Sequence, residues 1–191
     1  TPSIMNDLFR MNGVDAFYTA IPLPVNRHFT EFQGIFDGYN ITYPFKRNAG
    51  GNIYIPGCQI DSTDGEAFCR SLPYSFMNRK NMVLAIKGFD GGVARSIRYY
   101  ADSIGFRCVP WLSTTRAEIF INATPGEIEL DIDPLFHHSE PEKDVLIYDL
   151  RYTKSELLES AKKSGFITKD GKEMLVWNSI LSFRKFVGKE P

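Results

Sequence analysis

The sequence predicts an α/β fold whose second half is a Rossmann-like domain. Apolar segments of strand length alternate along the chain with segments of helical period, which is the pattern of α/β proteins. At residues 82–86 an apolar run leads through a glycine-rich turn into a helical stripe, an order typical of a dinucleotide-binding βα unit. The polar residues 78–81 before that run indicate a domain boundary near residue 78.

The composition excludes several classes of protein. The chain has 191 residues, of which 43% are hydrophobic and 24% charged, so it can bury a substantial core. Its formal net charge of -1 gives no electrostatic footprint for nucleic acid or for an anionic membrane. The longest apolar runs are too short to span a bilayer, and no signal-peptide pattern is visible. We therefore expect a small-molecule partner.

The cysteine content favours a cytoplasmic protein. Cys58, Cys69 and Cys108 are odd in number, widely spaced and without a CxxC pair, which favours reduced thiols over a disulfide framework. Cysteines and histidines are too few and too scattered to predict a zinc site, and no GxSxG motif predicts a serine hydrolase.

In the first half, a helix is predicted to follow Thr1 and to end at Gly13, because a polar cap, a proline and a glycine stop bound an apolar stripe. Residues 17–21 predict a strand closed by prolines. Phenylalanines recur at helical spacing over residues 26–36, so we expect a helix with its aromatic face in the core. Further predicted elements are a strand at residues 39–43 and a hairpin at residues 52–60.

In the second half, the helix after the glycine turn carries Val93, Ile97, Tyr100 and Ile104 on one face. The remaining predicted elements are strands at residues 106–111, 118–122 and 145–149 and helices at residues 154–163 and 174–187.

Two charged residues stand at the ends of predicted elements. Lys46 lies just past the strand at residues 39–43, where open α/β sheets place their ligand crevices; the alternative is a solvated lysine after a turn. Asp64 lies where a strand end runs into a helix, and an aspartate there most commonly caps the helix. The residues alone leave both roles open.

The end of the strand at residues 106–111 bears on the cofactor. Ser113, Thr114 and Arg116 follow it, where a Rossmann unit reads the adenosine ribose. No acidic residue occupies that end, and hydroxyls with an arginine suit a 2′-phosphate better than a bare 2′-hydroxyl. This pattern favours NADP.

Several motifs, in family order, resemble those of the shikimate dehydrogenases. NITYPFK and DSTDGEAF, which contain Lys46 and Asp64, resemble the two signature segments of that family. The resemblance extends over nearly the whole chain through TPSIMN, GGN, GGVAR, INATP, YDLRY and DGKEMLVWNSILSF. It implies an α/β substrate-binding domain at residues 1–78, completed by a helix at residues 179–191, and an NADP-binding domain at residues 79–178, with the active site in the cleft between them.

The resemblance also implies an activity. Members of the family reduce 3-dehydroshikimate reversibly to shikimate with NADPH, in chorismate and aromatic amino acid biosynthesis. We expect a cytoplasmic monomer or homodimer acting on that small molecule, without metal, nucleic acid or membrane.

Individual residues match the family's functional positions. Lys46 and Asp64 match the catalytic pair, with Lys46 as proton donor. Substrate-binding positions are matched by Thr1, Asn40, Thr42, Asn52, Tyr152 and Asn178. Cofactor candidates are Gly88, Gly91, Gly92, Ser113, Thr114, Arg116, Asn122, Gly171 and Met174.

The sequence departs from the family pattern at the cofactor motifs. The usual GAGGA appears as GFDGGV, so its first glycine is either displaced to Gly88 or replaced by Phe89. The usual Asn-Arg-Thr appears as Leu-Ser-Thr at residues 112–114, which leaves NADP against NAD open. Asn178 stands where the family has glutamine.

Segments of the family are also missing. A helix is absent between Lys46 and Asn52, and a helix and probable strand are absent after Arg116. One explanation is that this sequence omits segments of a longer protein, and we favour it because the gaps fall between intact motifs. The other is that the protein is a shortened relative of the shikimate dehydrogenases. A shortened relative could be a non-catalytic binder of a shikimate-like ring. A quinate dehydrogenase is a further alternative.

Overall fold

A computed structural model describes residues 2–24, 26–27, 29–32, 34–42, 45–111, 116–126 and 145–191. Its helices are α1 (Pro2–Met11), α2 (Lys46–Ala49), α3 (Asp64–Arg70), α4 (Tyr74–Met77), α5 (Gly92–Ser103), α6 (Glu156–Lys163) and α7 (Lys172–Val187). Its strands are β1 (Tyr39–Asn40), β2 (Ile53–Tyr54), β3 (Val83–Lys87), β4 (Arg107–Pro110), β5 (Ile119–Asn122), β6 (Leu146–Asp149) and β7 (Ile167–Asp170).

The five strands of the second half form one parallel sheet in the order β4-β3-β5-β6-β7. Strands β5 and β6 are buried along their whole length, as expected for a parallel sheet covered on both faces. The predicted α/β class is confirmed. The prediction missed β7 (Ile167–Asp170), an edge strand in which three of the four residues are polar, so it lacks the apolar run of a central strand.

The order of the sheet reverses at β3, which has β4 on one side and β5 on the other. Open α/β sheets bind ligands at such a point, beyond the carboxyl ends of the strands. The loops after β3 and β5 touch there: a Cβ atom on Gly88 would lie 2.9 Å from Cγ2 of Thr124. The glycine turn therefore stands where the fold places a cofactor.

The connection from β4 to β5 is unusually short. Only residues 111–118 join these parallel strands, whereas such a crossover normally takes about a dozen residues and a helix. Trp111 packs on the face of the sheet that carries Phe120, and the two ring centroids are 5.2 Å apart. Strands β3 and β5 pair directly, and Trp111 gives the sheet apolar cover beside this short connection.

A single apolar cluster joins the two halves of the chain. Phe68 of α3 and Phe76 of α4 are fully buried in it together with Leu84 and Tyr148 of the sheet. Helix α7 runs unbroken through the predicted boundary between residues 178 and 179. A smaller cluster lies on the opposite face of the sheet, built around Ala85, Phe120, Ile147, Leu157 and Ala161.

Two predictions for the first half are wrong. Residues 17–21 form no strand, because the side chain of Asn6 takes the place of a strand partner: it accepts a hydrogen bond from Tyr18 N–H (2.7 Å) and donates one to Tyr18 C=O (2.9 Å). Of the helix expected at residues 26–36, the described residues contain a single 3-10 turn, Phe29–Phe32, and Phe36 is 39% exposed rather than in the core.

The hairpin and the terminal helices are close to their predicted positions. Strands β1 and β2 pair antiparallel, and Asp61 closes the hairpin by an isolated bridge to Ile53 beyond a turn at Gly57 (φ 84°). Ile104, predicted on the apolar face of α5, lies just past the helix end and is 46% exposed. Among the helices of the described ranges, none is long and apolar enough to cross a membrane.

Candidate active site

A cleft of about 400 Å³ opens between the first half of the chain and the carboxyl edge of the parallel sheet. Both halves line it. Its walls are formed by Pro2, Tyr18, Thr19, Ala20, Ile21, Asn40, Ile41, Thr42, Lys46, Asp64, Leu150, Tyr152, Gly171, Met174, Leu175 and Asn178.

Lys46 and Asp64 meet in this cleft as an ion pair between Nζ and Oδ2. The side chain of Lys46 is 15% exposed and that of Asp64 is 4% exposed. Asn178 donates a hydrogen bond of 2.8 Å to the other carboxylate oxygen, Oδ1. The remaining carboxylate oxygen, Oδ2, is buried and faces the Lys46 ammonium.

The backbone explains why the two charges face each other. Lys46 begins α2, and its N–H donates a hydrogen bond to Thr42 C=O (3.0 Å), two residues past the end of β1. Asp64 is the first residue of α3, with Thr63 in the capping position, so its carboxylate does not cap the helix and is available to the cleft. Asn52 fixes this start, because its amide bonds both Thr63 N–H (2.8 Å) and Thr63 Oγ1 (2.9 Å).

The predicted substrate-binding residues divide into two groups. Asn40, Thr42, Tyr152 and Asn178 line the cleft, with Tyr152 57% exposed at its rim. Asn52 is only 1% exposed and is absent from the lining, so the structure gives it the role of holding Thr63. Thr1 lies outside the described residues.

Ser182 was missed by the sequence analysis. It is fully buried on α7, where its hydroxyl lies 3.4 Å from Asn40 Nδ2 and 3.4 Å from Asn178 Oδ1. It therefore joins two amides that both line the cleft. Its spacing of four residues from Asn178, one turn along the same helix face, is the signal that could have identified it.

The glycine turn resolves one departure from the family pattern. Gly88 adopts φ 78°, a conformation that favours glycine, so it performs the tight-turn role and the first glycine is displaced rather than lost. Phe89 is folded back against the core, with the Arg98 guanidinium 3.9 Å from its ring centroid. Helix α5 then begins at Gly92, after Gly91 and without any side-chain cap.

Asn122 and Asp149 form a buried polar cluster at the ends of β5 and β6, 3.2 Å apart. Asn122 Oδ1 accepts hydrogen bonds from Thr124 N–H and Oγ1, and Asp149 accepts them from Arg151 and Ser155. These bonds set the loops after both strands. Asn122, predicted to contact the cofactor, is completely buried and orients those loops.

The other cofactor candidates are spread around the same edge of the sheet. Gly171 and Met174 line the cleft, and Gly171 lies so close to the Leu150 carbonyl that a Cβ atom would be 2.0 Å from its oxygen. Arg116 is exposed ahead of β5. Ser113 and Thr114 lie outside the described residues.

Sequence comparison finds curated relatives, although no protein-family model matches the chain. The shikimate dehydrogenase (NADP(+)) of Aquifex aeolicus is 24% identical over 236 residues, covering 100% of this chain and 87% of the relative. That of Pelagibacter ubique is 28% identical over 189 residues, covering 76% and 71%. Since the first alignment spans 236 positions and this chain has 191 residues, the relative has segments without a counterpart here.

Solved structures show the same fold. The crystal structure of shikimate dehydrogenase from Aquifex aeolicus has a TM-score of 0.79 at 21% identity, covering 100% of this chain and 88% of its own. The Thermus thermophilus enzyme in complex with NADP(H) and shikimate has a TM-score of 0.75 at 22% identity, covering 100% and 89%. Quinate dehydrogenase from Corynebacterium glutamicum in complex with NAD has a TM-score of 0.71 at 20% identity, covering 100% and 89%.

The curated relatives therefore confirm the resemblance to the shikimate dehydrogenase family that the motifs carry, and the solved structures confirm that this chain has the fold of that family.

Proposed function

We propose that this protein is an NADP-dependent shikimate dehydrogenase, which reduces 3-dehydroshikimate reversibly to shikimate in the biosynthesis of chorismate and the aromatic amino acids. The observation that carries the proposal is the nearly buried Lys46–Asp64 ion pair in the cleft that both halves of the chain line. The similarity to shikimate dehydrogenases supports it independently.

The ion pair supplies what the reduction of a ketone requires. As the C3 carbonyl of 3-dehydroshikimate becomes an alcohol, negative charge develops on its oxygen, and the Lys46 ammonium stabilises that charge and donates the proton. Asp64 keeps the ammonium in place through Oδ2, and its carboxylate accepts a hydrogen bond from the adjacent ring hydroxyl when the substrate is bound. Asn178 fixes the orientation of the carboxylate through Oδ1.

The residues at the sheet edge fit NADPH. Gly88 makes the tight turn after β3, and the first-turn N–H groups of α5 have no side-chain cap, so they suit a pyrophosphate. Gly91 and Gly92 leave room for the backbone to approach it. Bound NADPH would supply the hydride. Met174, on the cleft wall, adds an apolar surface.

The test is a matrix of NAD or NADP against shikimate or quinate with the purified protein. We expect reduction of NADP with shikimate at the highest kcat/KM, and NADPH oxidation with 3-dehydroshikimate in the reverse assay. Protein that is folded by circular dichroism yet inactive with every pair would contradict the proposal. The Lys46→Ala variant is the matched negative control for a contaminating dehydrogenase.

Measurements on the same purified protein distinguish two alternative functions. A quinate dehydrogenase, suggested by the fold of the Corynebacterium enzyme, would give higher kcat/KM with quinate. A non-catalytic ring binder, suggested by Phe89 in the glycine motif, would show thermal stabilisation by shikimate and none by either nicotinamide cofactor. With reduced cysteines we expect the protein in the cytoplasm, as a monomer or homodimer.

A further inference from the structure

We propose that Tyr18 contacts the substrate directly and helps to determine which ring oxygens the cleft accepts. This inference rests on the proposed function, since the substrate is taken to be a hydroxylated ring acid. Tyr18 lines the same cleft as Lys46 and Asp64, in a segment that the sequence analysis assigned to a plain strand.

The ring of Tyr18 is fixed from behind. It packs against an apolar cluster of α1 and α7 built from Met5, Phe9 and Phe183. The polar end of the same side chain approaches the side chain of Asn40, which lines the cleft. An apolar body held in the core with a hydroxyl at a polar wall is the usual geometry of a tyrosine that recognises a ligand.

The backbone of Tyr18 is held as well. Asn6 bonds its N–H and its C=O at 2.7 Å and 2.9 Å, so the residue is immobilised without being part of a sheet. A binding group fixed before the ligand arrives loses little conformational entropy on binding. Asn6 is therefore a positioning residue for Tyr18.

The phenol remains a hydrogen-bond donor at physiological pH. Burial raises the pKa of Tyr18 above its ordinary value, and the hydrogen bond with Asn40 opposes that rise only in part. A neutral hydroxyl can donate to a substrate oxygen and accept from Asn40 at the same time. Tyr18 thereby adds a hydroxyl to the polar lining that Asn40, Asn178 and Asp64 give the cleft.

The test compares Tyr18→Phe with Tyr99→Phe. Tyr99 is 83% exposed on α5, so the control makes the same chemical change away from the cleft. We expect Tyr18→Phe to raise the KM and the calorimetric Kd for shikimate about tenfold, the loss expected for one buried hydrogen bond, with kcat changed less than threefold. Tyr99→Phe should match the wild type, and melting temperatures should show that all three proteins are folded.

A series of shikimate analogues, each lacking one hydroxyl or the carboxylate, then separates contact from packing. If Tyr18 bonds one oxygen, the tenfold penalty disappears for the analogue that lacks it. An equal penalty for every analogue, or none for shikimate itself, would overturn the inference while leaving the proposed function intact. If the wild type neither binds nor oxidises shikimate, the proposed function fails and this inference fails with it.

Discussion

Lys46 is held in a nearly buried position by its ion pair with the Asp64 carboxylate. An ammonium with 15% of its side chain exposed has lost most of its water, so it interacts strongly with Asp64 and with any oxygen that gains negative charge beside it. Among the described residues that line the cleft, no other lysine or arginine is present.

Replacement of Lys46 by alanine should therefore lower turnover far more than affinity. We expect kcat for shikimate oxidation to fall by about 10²- to 10⁴-fold, the range for loss of a general acid-base, with a much smaller change in KM. Steady-state kinetics of Lys46→Ala measure this. Lys154→Ala is the control, because that lysine is 80% exposed in a surface pair. An unchanged kcat would remove Lys46 from the mechanism.

The cysteines should differ sharply in reactivity. Burial is the main cause that raises the pKa of Cys69 and of Cys108 to about 12, so both stay protonated at pH 8, and the thiol is the unreactive form. Cys58 is exposed on the hairpin. We expect a thiol reagent at pH 8 to modify one cysteine quickly in the native protein and all three after denaturation, with Cys58→Ser abolishing the fast reaction. Fast labelling of that variant would contradict this.

At the scale of elements, helices α3 and α5 cross at close quarters. A Cβ atom on Gly65 would lie 2.2 Å from the Ser96 carbonyl oxygen, and Ser96 Oγ bonds Gly65 N–H (2.9 Å) and Ser62 Oγ (2.7 Å). Asp64 immediately precedes Gly65, and the glycine turn immediately precedes α5. The contact thus links the Asp64 carboxylate to the helix that follows the glycine turn.

Gly65→Ala should test that link. Alanine would force α3 and α5 apart, so we expect the free energy of unfolding to fall by about 1–3 kcal/mol, which a lower melting temperature would show. We also expect kcat to fall, because Asp64 moves. Gly126→Ala is the control, because no atom of the described residues lies within 4 Å of its added Cβ. Equal activity and stability for both variants would show that the close crossing is not needed.

Gly88→Ala should weaken cofactor binding. The change places a methyl group at φ 78° and 2.9 Å from Thr124, so the loops after β3 and β5 must separate. We expect the KM for NADP to rise about tenfold or more while the Kd for shikimate changes little. Gly105→Ala has the same backbone penalty at φ 87° in open space, and serves as the control. If the two variants bind NADP alike, the loop contact has no part in binding.

Sequence patterns were enough to predict the elements whose structure depends mainly on residues within the element itself. Strand β3 and helix α5 follow from an apolar run, a glycine turn and a helical stripe, and Lys46 and Asp64 stand at element ends that local pattern can locate. It could not predict that Asn6 would replace a strand partner for Tyr18, because that bond joins residues twelve positions apart. Ser182 and Tyr18 also required tertiary contacts to be identified as parts of the site.

At the scale of the whole molecule, the two predicted domains share their core. Phe68 and Phe76 come from the first 78 residues yet pack on the sheet of the second half, and α7 crosses the other predicted boundary. A fragment of residues 79–178 would expose the face of its sheet that those rings cover. The domain bounds stay a prediction, but the energetics favour one folding unit.

Thermal unfolding should therefore be a single transition. We expect calorimetric and van't Hoff enthalpies to agree for the whole chain, and the fragment of residues 79–178 to be unfolded or aggregated when expressed alone. Differential scanning calorimetry and circular dichroism measure both. Two separate transitions, or a fragment that melts cooperatively, would mean that the halves are independent.

The cover that Trp111 gives to the shortened crossover has an optical consequence. The chain contains two tryptophans, Trp111 against Phe120 and Trp177 beneath the Arg70 guanidinium, on separate clusters of the protein. Each indole emits according to its own surroundings, so fluorescence from Trp111 reports the side of the sheet where the usual helix is missing, and Trp177 reports the helix that carries Asn178. The two tryptophans therefore report separately on the two faces of the sheet.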